Sequence, residues 1–429
     1  LTSRHQTRPW ISEIPGPNVV LIDPTRDADP LEETVTAPVS RMAPVDDPVV
    51  IVGTGIAGLT CAETLRHEGF DGRVLLIGDE SHHPYDRPPL SKQVLSGAWD
   101  PARVLLRTDA ELDALGIELI LGTAAVGLDP GSRRVSLADG SVIRYRDVVI
   151  ATGVRPRPWV GAGAKAGDGR GPLTLHTLDD AEALREVLES GGRVVVIGGG
   201  FVGTEVAAAA RSAGVDVTLA HRGALPLSVL GPEVGRHVAH LHRSRGVHLR
   251  AHSEVVGLGG DRRGWTVEFS DGDALSADSV VAAIGSAPCT DWLIGSGLGL
   301  DDGVDCDVTG LVRPGVWAAG DVARRPDGDR RVRIEHRTNA VDAAIAVARG
   351  ITGRPTPIDP IPYFWTDQYD TRIQVYGLPR SGAARIDRDP DEGRFLARYG
   401  SDTHPHAVLA WNLPREIHAA RSELLPTAR

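Results

Sequence analysis

Two glycine triplets carry the first chemical signal in this sequence, Gly53-Thr-Gly55-Ile-Ala-Gly58 and Gly198-Gly-Gly200-Phe-Val-Gly203. Glycines at this spacing suit one task. The first permits a tight turn. The second has no Cβ, so a pyrophosphate can approach the backbone, and the third lets a helix pack closely on a strand. The helix that follows offers unpaired N–H groups and a partial positive charge to the phosphates. The two copies differ in what comes next. The first runs on to Asp79-Glu80, carboxylates that can accept from ribose hydroxyls, with Asp79 the preferred acceptor and Glu80 the alternative. The second runs on to His221-Arg222, with no acid. An arginine at that point can pair with a 2′-phosphate, so NADPH is expected over NADH. The alternative is a solvated Arg222 and use of NADH.

The elements around the triplets supply the context the motif requires. Val49-Val-Ile-Val52 is a short apolar run before the first triplet, Leu59 to Glu68 is helical, and Val74-Leu-Leu-Ile77 is the next buried strand. The second copy repeats this order with Arg193-Val-Val-Val-Ile197, an Ala-rich helix from Thr204 to Ser212, and Val215-Asp-Val-Thr-Leu219. Two such units make an internal duplication of a dinucleotide-binding module. Alternating patterns with turn signals, Arg134–Leu137 before Asp139-Gly140 and Trp265–Phe269 before Asp271-Gly272, predict small antiparallel sheets within each module. After about residue 357 the texture changes to aromatic-rich strands, and a helix is predicted over Pro414–Leu424.

Composition bounds the function classes. The length of 429 residues predicts two or three domains. A net charge of −11 argues against nucleic acid and against an anionic membrane as partners. No apolar run approaches the roughly 18 residues of a membrane helix. Residues 1–46 are Pro-rich and acidic, without a secretory apolar core, and read as an extension; Met42, the only methionine, sits just before the first strand. The cysteines Cys61, Cys289 and Cys306 show no metal-ligand or CxxC spacing, so free thiols in a reducing cytoplasm are expected. The chain is rich in Arg yet has only two lysines, Lys92 and Lys165. A lysine kept in such a chain marks a place where an ammonium is needed and a guanidinium does not fit; Lys165, in a glycine-rich loop, is read as incidental.

Several further segments give the chain a resemblance. Pro84-Tyr-Asp-Arg-Pro-Pro-Leu-Ser-Lys92, Ala151-Thr-Gly153, Gly198–Glu205, Ala318-Ala-Gly-Asp-Val322 and Tyr363-Phe-Trp-Thr-Asp-Gln-Tyr-Asp370 occur in that order. From about residue 48 to 424 the sequence resembles bacterial FAD-dependent ferredoxin reductases of the putidaredoxin-reductase and dioxygenase-reductase type. The resemblance implies an α/β fold with two Rossmann-like, glutathione-reductase-like dinucleotide-binding domains and a C-terminal α+β domain. The FAD domain would comprise 47–153 and 279–356, the NAD(P) domain 154–278, and the last domain 357–429. By the same resemblance Gly53, Gly55, Ala57 and Gly58 line the FAD pyrophosphate, Asp79 holds the adenosine ribose, and Asp321 bonds the ribityl chain. Arg87, Val126, Ala151, Thr152, Gly153, Gly285 and Gly320 complete the FAD contacts. Gly198, Gly200, Phe201, Val202, Gly203, His221 and Arg222 would receive the nicotinamide dinucleotide. Lys92 should sit beside the isoalloxazine and face Glu205 near the nicotinamide. An ammonium there stabilises a flavin that has gained a hydride, and the carboxylate keeps the ammonium charged. The chain departs from many relatives at Arg337, where they carry Trp and where the resemblance implies a cation close to the flavin or to the partner's docking site, and at His176, where they often carry Arg.

The resemblance further implies electron transfer to a [2Fe–2S] ferredoxin serving a cytochrome P450 or another oxygenase. No CxxxxC follows the first module, and no cysteine lies between Asp79 and Lys92, so electrons are expected to leave through the flavin directly. Trp365, Tyr369 and Tyr376 are candidates to cover the flavin, with core packing the alternative. Arg324, Arg325, Arg330, Arg331 and Arg333, with Arg372 and Arg380, form either a basic docking patch or a solvated face. Two other functions stay open: a stand-alone flavin oxidase acting on a small molecule, and a weakly redox-active interaction protein.

Overall fold

The computed structural model describes residues 47–162, 171–261, 264–359, 361–379, 384–387, 393–401 and 404–424. The expected extension at 1–46, Lys165 and Arg380 lie outside the described residues.

The first module is built on a six-stranded sheet. Val49–Val52 lies between Val74–Ile77 and Asp147–Ile150, with Ile117–Ile120 and Val316–Ala318 outside them, all parallel; Leu311–Arg313 closes one edge antiparallel. Val49, Val50 and Ile51 have no exposed surface. A parallel strand covered on both faces must be apolar throughout, and each such side chain contributes about 1.5–3 kcal/mol by burial. The helix Ile56–His67 covers one face and meets the helix Arg337–Ile351. Small residues line that contact, Ala57, Cys61 and Ala62 with Ala340, Ala343 and Ala344. Cys61 is therefore a core residue, and burial pushes its thiol up to about 12.

The second module repeats the unit in a parallel sheet ordered His248–Arg250, Asp216–Ala220, Arg193–Ile197, Ser279–Ala282. This corrects the expected boundary at residue 278. Ser279–Ala282 pairs along Arg193–Ile197, so the second module reaches Ala282. A four-residue apolar strand reads alike for either sheet, and only its neighbour identifies it. The chain passes between the modules through the antiparallel pair Val154–Pro156 and Ser286–Pro288.

The C-terminal residues form a five-stranded antiparallel sheet ordered Tyr363–Gln368, Thr371–Gly377, Pro405–Trp411, Phe395–Gly400, Ala384–Asp387. The predicted final helix is shorter than expected: Glu416–Ala420 is α-helical and Arg421–Leu424 tightens to a 3₁₀ turn. The sheet packs on the second module. Leu230, Val234 and Val238 share a core with Val375, Phe395, Leu409 and Trp411, and the Tyr399 hydroxyl donates to the Leu230 carbonyl at 2.8 Å. This contact holds the strand Tyr363–Gln368 against the helix Phe201–Ser212. Among the described residues no helix is long and apolar enough to cross a membrane.

Candidate active site

The two glycine turns are near-superimposable in their local physics. Gly53 and Gly198 have φ of 118° and 119°. A Cβ on either would lie 2.1 Å from a carbonyl oxygen, that of Ala151 or Ala283. A Cβ on Gly58 or Gly203 would lie 1.9 Å from the carbonyl oxygen of Gly53 or Gly198. At Gly55 and Gly200 it would meet nothing within 4 Å. The first and third glycines thus serve the fold, and the middle one borders open space where phosphates can approach. Both helices begin at that middle glycine, with no side-chain cap and no acid in the first turn. Their amide N–H groups remain available to an anion.

The first turn opens into a cavity of about 780 Å³ that reaches the second. Its wall includes Gly53, Gly55, Ala57, Asp79, Glu80, Arg87, Lys92, Ala151, Thr152, Gly153, Gly285, Gly320, Asp321 and Arg337 from the first module and its connections. Gly200, Phe201, Val202 and Glu205 close it from the second. Gly58, Gly198 and Gly203 lie in the packing behind the turns. Val126 is not among the residues lining the cavity. Its side chain is 53% exposed, because an irregularity in the pairing of Ala125–Asp129 turns it outward, and Thr123, Ala124 and Ala125 line the cavity instead. His221 and Arg222 lie outside this cavity. His221 is buried, while Arg222 is 80% exposed and 3.7 Å from Glu254.

Two features of the wall match parts of FAD. Glu80 is committed to protein partners: one oxygen meets Arg87 at 2.6 Å and the other accepts from the Tyr85 hydroxyl at 2.6 Å. That leaves Asp79 as the carboxylate at the strand end for a ribose. Asp321 is sunk in the wall, where burial and then the nearby Glu335 push its carboxyl up to about 7. Hydroxyl donors of a ribityl chain would offset that cost. Arg87 also donates to the His176 carbonyl at 2.7 Å. Burial and this guanidinium lower His176 to about 4, so its imidazole is neutral.

Where the modules meet, the Lys92 ammonium lies 2.8 Å from the Glu205 carboxylate, and their side chains are only 10% and 5% exposed. Lys92 comes from the end of the short 3₁₀ turn Pro88–Ser91, which directs its Nζ also to the Pro88 carbonyl and the Ser91 hydroxyl, each at 3.2 Å. Ser91 donates to Glu205, and Thr366 donates to its other oxygen at 2.6 Å. Arg337, at the start of its helix, is held by Asp86 at 2.6 Å on the cavity wall. The cation expected near the flavin is thus accompanied by a carboxylate. Ser91, Asp86 and Thr366 were not singled out from sequence. All sit inside the motifs that contain Lys92 and Trp365, and the visible signal is a polar residue at 366 on the buried side of an alternating strand.

The remaining expectations sort by position. Trp365 lines the cavity with Phe364, whose ring packs on His336 at 4.5 Å. Tyr369 and Tyr376 do not cover it; they pack on His242 and on Tyr363. Much of the arginine cluster is internally compensated. Arg324 pairs with Asp301 and Asp305, Arg333 with Asp302 and Glu335, Arg372 lies 3.8 Å from Asp367, and Arg325 is buried against Asn339. Acids on adjacent loops thus offset much of the positive charge of these described arginines. The three cysteines are free. Cys289 reaches the cavity wall, and burial raises its pKa, which disfavours the thiolate.

The profile of the pyridine nucleotide-disulphide oxidoreductases matches residues 47–344, and that of the reductase C-terminal domain matches 363–427. The chain belongs to the pyridine nucleotide-disulphide oxidoreductase family. This oxidoreductase is 38% identical over 340 residues to putidaredoxin reductase of Pseudomonas putida, covering 78% of this chain and 81% of that one. It is 37% identical to the benzene 1,2-dioxygenase system ferredoxin–NAD(+) reductase subunit of Pseudomonas putida, covering 87% and 91%. Its structure is similar to the covalent putidaredoxin reductase–putidaredoxin complex, with a TM-score of 0.82 at 34% identity, covering 89% and 93%. The cofactors of this oxidoreductase are FAD and NAD(P)H, and the two open glycine cradles and the Asp79 and Asp321 carboxyls suit them.

Proposed function

We propose that this chain is an NAD(P)H-dependent ferredoxin reductase that supplies electrons, through a [2Fe–2S] ferredoxin, to a cytochrome P450 or another oxygenase in the cytoplasm. The observation that carries this reading is the buried Lys92–Glu205 pair at the point where two dinucleotide cradles open into one cavity. The chemistry that FAD would supply here is acceptance of a hydride and release of single electrons. The chain's residues act around that chemistry. Gly55 and Gly200 admit the pyrophosphates, and the helix N-termini hold them. Lys92 stabilises the negative charge that hydride transfer brings to the flavin, in a site where little water screens it. Glu205, held by Thr366 and Ser91, pairs with the Lys92 ammonium. The relatives named for ferredoxins support a protein electron acceptor, and the free, widely spaced cysteines leave no dithiol to receive the electrons. His221-Arg222, in place of an acid, supports NADPH as the donor.

The test mixes the protein, NADPH or NADH, a [2Fe–2S] ferredoxin and cytochrome c. Cytochrome c reduction that requires ferredoxin, with a lower KM for NADPH, is expected. Rapid peroxide formation that ignores ferredoxin would replace this reading with a stand-alone oxidase.

A further inference from the structure

Behind Glu205 runs a line of buried polar side chains. Thr204 and His242 have no exposed surface, and Thr366 and Gln368 are 1% exposed. They come from three elements: the helix Phe201–Ser212, the helix Gly231–Ser244, and the strand Tyr363–Gln368 of the C-terminal sheet. Their contacts are continuous. Thr366 meets Glu205 Oε1 at 2.6 Å, Gln368 Nε2 meets Thr366 Oγ1 at 3.2 Å and Thr204 Oγ1 at 3.0 Å, Gln368 Oε1 meets His242 Nε2 at 2.8 Å, and His242 Nδ1 meets the Tyr369 hydroxyl at 3.4 Å.

The direction of every bond follows from its inner end. A carboxylate paired with Lys92 only accepts, so Thr366 must donate to it. Having spent its proton, Thr366 accepts from Gln368 Nε2, which fixes the amide orientation. Gln368 Oε1 can then only accept, so His242 carries its proton on Nε2. Burial lowers the pKa of His242. A neutral ring with Nε2–H leaves Nδ1 as an acceptor, and Tyr369 donates to it. Four donors in series point at one oxygen of Glu205.

We propose that Gln368 and His242 are positioning residues for the Lys92–Glu205 pair: the chain from Tyr369 consumes Oε1 of Glu205 and turns Oε2 toward Lys92 and the cavity. This rests on the reading that Lys92 and Glu205 serve hydride transfer. Two consequences follow. Neutral donors help hold the buried carboxylate, so the Lys92 charge is not wholly consumed by Glu205. The chain also ties the pair to the seating of the C-terminal sheet, because Tyr369 occupies a hairpin at φ 57°, with the Arg245 guanidinium 5.1 Å from its ring and Arg245 bonded to Asp370 at 2.7 Å.

Thr366→Val keeps the shape and deletes the donor; Thr366→Ser keeps the donor. In single-turnover mixing of the FAD-loaded protein with NADPH, flavin reduction should slow about tenfold in Thr366→Val, the worth of one hydrogen bond to a charged group. Thr366→Ser and the amide-bearing His242→Gln should stay near wild type, and His242→Leu should match Thr366→Val. Long-range ¹⁵N–¹H spectra of ¹⁵N-histidine protein, assigned with His242→Gln, should show a neutral ring protonated at Nε2. A wild-type rate in Thr366→Val, or a neutral ring protonated at Nδ1, would overturn the proposal. If Lys92→Met itself reduced at the wild-type rate, the functional reading would fall, and the imidazole tautomer would still report on the chain.

Discussion

Lys92 and Glu205 show how one buried contact makes a catalytic position and a stability risk together. At 2.8 Å and almost without solvent, the pair interacts strongly, yet each charge has left water to get there. Removing one partner strands the other. Lys92→Met should destabilise the protein by about 3–5 kcal/mol by urea titration and slow flavin reduction about 100-fold in stopped-flow mixing. The double variant Lys92→Met/Glu205→Gln should recover much of the stability while remaining as slow. That split separates the structural from the chemical role of the ammonium. Asp79 and Glu80 carry a second lesson at this scale. They are adjacent and chemically alike, but Arg87 and Tyr85 occupy both oxygens of Glu80.

At the scale of elements, the strand–turn–helix unit is a local device used twice. Its glycines divide into those that make the turn and one that faces the ligand, and the division predicts opposite phenotypes. Gly200→Val places its Cβ where no protein atom lies within 4 Å, so folding should be intact while NADP⁺ affinity, measured by calorimetry, falls at least tenfold. Gly203→Ala drives a Cβ to 1.9 Å from the Gly198 carbonyl oxygen and should cost about 1–3 kcal/mol of stability. A Gly200→Val protein with wild-type NADP⁺ affinity would remove the second cradle from the mechanism.

The whole molecule brings two nucleotide modules and the C-terminal sheet to one cavity, and the convergence buries ionisable groups that water would otherwise charge. His176 and His336 are lowered to about 4, His336 by burial and His176 by burial and Arg87. Unfolded, both would titrate near 6.5. Between those values the unfolded chain binds more protons, so their contribution is fully present above about pH 6.5 and is lost as pH falls toward 4. The urea midpoint should drop from pH 7.5 to pH 5, and His176→Gln/His336→Gln should flatten the slope; a midpoint independent of pH in this window would contradict the burial of both rings.

The nucleotide cradles were legible in the sequence because each is contiguous: a turn, a helix start and a strand end are set by backbone conformations of neighbouring residues, and glycine marks them. The apolar strands were legible too, since a parallel sheet demands unbroken burial. The assignment of Ser279–Ala282 to the second sheet, the compensation of Arg324 and Arg333 by Asp301, Asp302, Asp305 and Glu335, the outward turn of Val126 and the distance of Tyr369 and Tyr376 from the cavity were not. Each depends on which residue of another segment comes within a few ångströms, and a residue's type does not contain that information. The sequence alone determined that two dinucleotides could be bound. The resemblance led us to expect Lys92 opposite Glu205, but only the tertiary structure decided which polar groups surround the pair, Ser91, Thr366, Gln368 and His242, because Coulomb attraction and hydrogen bonding act over distance in space and take no account of separation along the chain.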